Sequence, residues 1–208
     1  MSRMRALGGA GILIIVLVLV ACGGADAQYV SNEKAGLFVK IPTQWKTFPL
    51  QAGDVKPDGL MAAPEVWRVG IDGAAQPRRS DFESAAPDAP NGVVEVIPID
   101  STKLTSSPSL GMLRDLVTQT TDPTTGQQTA SAVNVLQDEE VEMGSGFWGL
   151  RTTVQSSDKE PVRLEQLALF DNGVHRLYRV TVNCTASCFE AHANDIESIF
   201  DSLTLRGS

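Results

Sequence analysis

The chain has 208 residues and a formal net charge of −8 at neutral pH. Its first 21 residues carry two arginines and no acid, so the 187 that follow have a net charge of −10. That length suits one domain with a sizeable core, and that charge argues against nucleic acid and against direct adhesion to anionic lipid.

The chain opens on an export signal. Arg3 and Arg5 form a short basic region, Ala6 to Val20 an apolar one, and Ala21 is the small residue that cleavage requires. Leu19-Val20-Ala21-Cys22 resembles the lipobox of bacterial lipoproteins. The resemblance implies that Cys22 takes a diacylglycerol through its sulfur, that residues 1–21 are removed, and that the protein is held on the extracytoplasmic side of the cell membrane. Two other readings compete, an uncleaved membrane anchor and an ordinary thiol. The apolar run of 15 residues is short of the ~20 that span a bilayer. One chain binds a membrane marginally, whereas two or more hold it stably.

Residues 22–34 are small and polar and read as a flexible linker after Cys22, with one globular domain over 35–208. Leu37 to Ile41 predicts a strand, Trp45 to Phe48 another, Val66 to Ile71 a third and Gly92 to Ile97 a fourth. Between them, 49–65 and 72–92 are rich in Gly and Pro and predict loops. Ser107-Pro108 predicts a helix start, with Leu110, Leu113, Leu116 and Val117 at helical spacing, and 121–130 an exposed loop.

The last third is the best patterned. Val133 to Val141 and Phe147 to Val154 predict strands. Val162 to Phe170 and Val174 to Val182 flank Asp171-Asn172-Gly173 and predict a long antiparallel hairpin. Asn-Gly supplies the positive backbone angles of a tight turn. Val162, Leu164, Ala168 and Phe170 on one arm, and Val174, Tyr178, Val180 and Val182 on the other, suggest one largely apolar side. Ser187 is the expected N-cap of a final helix whose stripe is Phe189, Ala193, Ile196, Phe200 and Leu203, followed by a short strand near Ser202 to Leu205. Strands outnumber helices, and the helices do not alternate with them. The expected class is α+β, an antiparallel sheet with helices packed on it.

Gly36-Leu37-Phe38-Val39-Lys40-Ile41-Pro42 followed by Trp45, with the ending Ile199 to Leu205, resembles the PsbP-like domains, which include DcrB-type and actinobacterial lipoproteins. The resemblance implies an α/β/α sandwich around an antiparallel sheet, and accessory, protein-binding work rather than a shared active site. It carries over no functional residue.

Cys184 and Cys188 remain once Cys22 is acylated, and a disulfide is the preferred reading. Reduced thiols come next, and a redox-active pair last, since the spacing is not that of thioredoxin-type motifs. Trp45, Trp67 and Trp148 could line a ligand groove but fit core packing better. Gly144 to Gly149 satisfies GxGxxG, yet it leads into an aromatic strand rather than a helix and reads as a turn. His175 and His192 have no metal-ligand partner at useful spacing, and no GxSxG elbow is present. Asp138-Glu139-Glu140 with Glu142 reads as a solvated strand edge, and Arg78-Arg79 as surface charge. No catalytic residue, metal or cofactor is expected. The expected function is a binding or accessory module of the cell envelope, tethered to the membrane and partnered by an envelope protein, with a lipophilic-ligand carrier or a hydrolase as alternatives.

Overall fold

The computed structural model describes residues 27–51, 66–83, 87–100, 107–121, 128–130 and 132–207; Cys22 and the expected export signal over residues 1–21 lie outside them. The described linker residues are not a linker. Ala27–Asn32 forms β1, paired antiparallel with β2 (Leu37–Pro42), and a 3-10 turn over Glu33–Ala35 joins them. Asn32 caps that turn by accepting from the Ala35 amide at 3.1 Å. Val30 alone is buried in β1, which is why its sequence looked featureless.

Seven strands form the main sheet. They are β3 (Lys46–Pro49), β4 (Trp67–Asp72), β5 (Asn91–Pro98), β8 (Val133–Met143), β9 (Phe147–Ser156), β10 (Val162–Phe170) and β11 (Arg176–Thr185), in spatial order β3-β4-β5-β11-β10-β9-β8. Every pairing is antiparallel. Part of the loop expected over 121–130 is instead a small ribbon of β6 (Gln119–Thr121) and β7 (Gln128–Ala130). The loop expected over 72–92 contains a 3-10 turn at Arg79–Glu83, whose Phe82 ring covers Gly70 so closely that a Cβ there would lie 2.5 Å from it.

Both faces of the sheet are buried, where one apolar side was expected. In the β10–β11 hairpin Leu169 sits opposite Tyr178 and Phe170 opposite Leu177. Alternation therefore sends Leu167, Leu169, Tyr178, Val180 and Val182 to one face and Ala168, Phe170 and Leu177 to the other. The first face joins Leu37, Val39 and Ile41 of β2 and the terminal helices in the larger core. The second joins Ile97, Leu150 and Leu113, the last from α1 (Leu110–Thr118). Layers on both faces make the α+β arrangement a sandwich.

The cap of α1 is Ser109, not Ser107: its hydroxyl accepts from the Met112 amide at 3.3 Å. The final helix is two pieces, α2 (Ala186–Ala191) and α3 (Ala193–Asp201), broken at His192. Thr185, without a side-chain cap bond, precedes α2 in place of Ser187. The break exposes Ala193 and lets Ile199 join Ile196 and Phe200 in the core. β12 (Thr204–Leu205) then adds to β2. At the far edge, β8 exposes Asp138, Glu139, Glu140 and Glu142, and a bulge lies between Val135 and Gln137. Carboxylates and a bulge are ways of keeping an edge strand from pairing with another chain.

Candidate functional site

Cys184 and Cys188 are joined by a disulfide, with Cα atoms 5.9 Å apart. The bond staples the end of β11 to the first turn of α2, and both residues are buried. Its loop is so short that the entropic gain is modest. Reduction is expected to lower the unfolding free energy by about 2 kcal/mol, measured by urea titration with and without reductant; a loss above ~4 kcal/mol would mean that the bridge does more than close a loop.

The three tryptophans do not converge on one groove. Trp45 is buried in the larger core and Trp67 packs at its margin. Trp148 lies against the other core, its ring 5.1 Å from that of Phe170. His175 is exposed after the β10–β11 turn, and His192 lies at the helix break, its Nδ1 3.8 Å from Asp195. Gly144–Gly146 forms a 3-10 turn between β8 and β9, as its sequence context requires.

Two charged constellations escaped the sequence reading. On the α1 face, Glu95 is fully buried between two arginines. It accepts from Arg68 Nε at 2.5 Å and from Arg179 Nε at 2.7 Å. Each of the three is a single charge flanked by apolar residues in a strand, which was the available signal. Nearby, the cross-strand pair Thr152 and Gln166 is buried, and Gln166 Nε2 donates to the Leu113 carbonyl at 2.9 Å.

On the opposite face, Arg151 holds α3 to the sheet. It donates to Glu165 on β10 and to Glu197 on α3, and its guanidinium lies 5.1 Å over the Phe200 ring. Burial pushes the Glu165 carboxyl above its ordinary range, against the pull of Arg151, whereas the hydrogen bond from Arg151 holds that of Glu197 below its range. A raised carboxyl costs stability when ionised, and that cost vanishes as pH falls below the ordinary glutamate range. Arg151→Met removes the attraction. It is expected to cost about 2 kcal/mol at pH 7, less than for a fully buried pair because the guanidinium keeps some solvent. The deficit should narrow toward pH 5 as Glu165 takes up a proton. Denaturation at both pH values checks this, and a deficit that widened in acid would refute it.

A third place collects the turns. At one end of the sheet the turns before β2, before β9 and before β11 meet the tail after β12 around a cavity of about 250 Å³. All the described residues with left-handed backbone lie in these turns: Gly36, Ser145, Gly146 and Val174. The positive angle expected at Asn172-Gly173 falls on Val174, at φ 53°. Asp171 organises that turn, its Oδ1 accepting from the His175 amide at 2.6 Å and the Arg176 amide at 3.3 Å. A valine at positive φ is a real outlier, and such strain concentrates at ligand sites. Tyr178 lies buried in the lining and donates to the Ala35 carbonyl at 3.0 Å. Burial pushes its phenol above the ordinary range. A second, acidic hollow lies beside Asp72, Asp81, Asp88 and Asn91. The Asp72 carboxylate there is occupied by the Ala74 and Arg78 amides, and burial raises its pKa. Among the described residues no three His, Cys, Asp or Glu side chains converge as a metal site would require.

The chain matches no family model and no curated protein. Solved structures do resemble it. The cyanobacterial PsbP protein CyanoP of Synechocystis aligns with a TM-score of 0.51 at 16% identity, covering 90% of this chain and 99% of that one. LpqN of Mycobacterium tuberculosis, described as involved in cell envelope biogenesis, aligns at 0.48 and 13% identity, covering 87% and 91%. The Ran-binding protein Mog1p of Saccharomyces cerevisiae aligns at 0.45 and 9% identity, covering 86% and 95%. At these identities the likeness speaks to fold alone. Antiparallel strand order, helices on both faces and the CyanoP alignment together make this an α+β domain with the PsbP-like fold.

Proposed function

We propose that the protein is a lipid-anchored, extracytoplasmic binding or accessory module of the cell envelope, attached through Cys22 and without catalytic chemistry of its own. The observation that carries the setting is the buried Cys184–Cys188 bond. Disulfides persist outside the reducing cytoplasm, and this one leaves Cys22 as the remaining thiol of a three-cysteine chain. The lipobox-like residues 19–22 supply the anchor. The binding role draws on the sheet end, where loops from distant parts of the chain meet on a rigid scaffold, the usual place for recognition.

Cys22→Ala tests the anchor. The variant should accumulate as an unprocessed precursor and take up no radiolabelled fatty acid in growing cells. Labelling equal to that of the parent chain would refute the assignment.

A further inference from the structure

The cavity at the turn end gathers basic side chains in an otherwise acidic chain. Five arginines among the described residues are held by carboxylates: Arg68 and Arg179 by Glu95, Arg114 by Asp138, Arg151 by Glu165 and Glu197, and Arg163 by Glu190. Arg176 and Arg206 are not. Arg206 lies 4.6 Å over the Phe38 ring, and Arg176 lies beside the Tyr178 phenol. Both line the same cavity, with His175. Asp171, the one acid among the described residues of the lining, turns its Oδ1 to the amides of its own turn. Arg176 and Arg206 therefore line a concave polar site in which the one carboxylate among the described residues is already engaged.

Such an arrangement runs against the net charge of −8. Like charges brought together repel, and an anion between them reverses the sign of that term. Guanidinium forks match the oxygens of phosphate in pairs. The Asp171 carboxylate, bonded to both amides, holds the backbone of His175 and Arg176 in place beside the strained Val174, as pre-organised sites do. The Arg206 amide donates to the Gly36 carbonyl at 2.9 Å, which fixes the tail against the β1–β2 turn.

We propose that this cavity is a binding site for a phosphate-class oxyanion, with Arg176 and Arg206 as its principal ligands and Tyr178 in its lining. The anion can come from a soluble phosphate ester or from a phospholipid headgroup, and a chain tethered near a bilayer meets both. The site goes beyond the tether and does not depend on it.

Arginine footprinting with a dicarbonyl reagent, read by mass spectrometry, tests the assignment on the full chain. One arm uses sugar-detergent micelles with and without glycerol 3-phosphate. The other uses phosphatidylcholine vesicles containing phosphatidylglycerol and no soluble phosphate. At saturation, modification of Arg176 and Arg206 should slow about 10-fold, while exposed Arg78 is unchanged. Protection in the first arm identifies a soluble ester, and protection in the second a headgroup; either supports the site. In the Arg176→Gln chain, protection of Arg206 should be lost while its urea midpoint stays that of the parent. Equal protection by succinate would overturn the phosphate assignment. Unchanged modification in both arms, or protection that spreads to Arg78, would overturn the site.

Discussion

Glu95→Gln is expected to destabilise the fold by about 3–5 kcal/mol, because it leaves two buried guanidiniums without the anion that separates them. Glu95 is fully buried, Arg68 and Arg179 nearly so, and both carboxylate oxygens are engaged. Glutamine keeps the shape, so no cavity confuses the result. It removes the charge and turns an amide group toward a guanidinium that can only donate. The position is central, since β5 lies between β4 and β11 and the triad crosses all three strands. Urea unfolding measures the loss, and a change below ~1 kcal/mol would show that the arginines do not need this carboxylate.

Phe200→Ala is expected to cost about 3–5 kcal/mol through a cavity that the surrounding sheet cannot close. Phe200 sits on α3 at 3% exposure, in the core shared with β2 and the main sheet. Its ring also lies under the Arg151 guanidinium, so truncation removes a stacked cation as well as apolar contact. Asp201 is the natural control, because it lies one residue further on and faces solvent. Asp201→Ala should stay within about 0.5 kcal/mol. Equal losses at the two positions would mean that α3 does not present the face described above.

These two residues differ in how far the sequence announced them. Phe200 belongs to a helical stripe, and the 3.6-residue period exposes such a stripe directly. The stripe still misled at Ala193, because the helix breaks at His192 and the second piece rotates Ile199 inward. Glu95 sits in an expected strand, yet a lone acid between valines could equally have faced water. Its partners lie 27 residues before and 84 after it, and no local pattern joins them.

The same limit explains the sheet. The β10–β11 hairpin was legible from its strand lengths and turn residues. That both faces were buried was not, because Gln166, Arg179 and Thr181 interrupt the second face with polar groups. β1 was read as linker because Val30 is its only buried residue, and its place depends on pairing with β2. The cavity at the turn end was the least visible feature. Ala35, Ser145, Arg176 and Arg206 come from four distant segments, and only the fold brings them together. The cysteines were the easiest case: with Cys22 set aside by its resemblance to a lipobox, Cys184 and Cys188 remained as an even pair, and the preferred disulfide is the one that forms.

The mass of the amino-terminal peptide from protein isolated from its native cells bears most directly on the proposed tether. A peptide that starts at Cys22 and carries a diacylglyceryl group on its sulfur is the outcome expected. A peptide that starts at Met1, with Cys22 unmodified and the protein recovered from the cytosol, would contradict it.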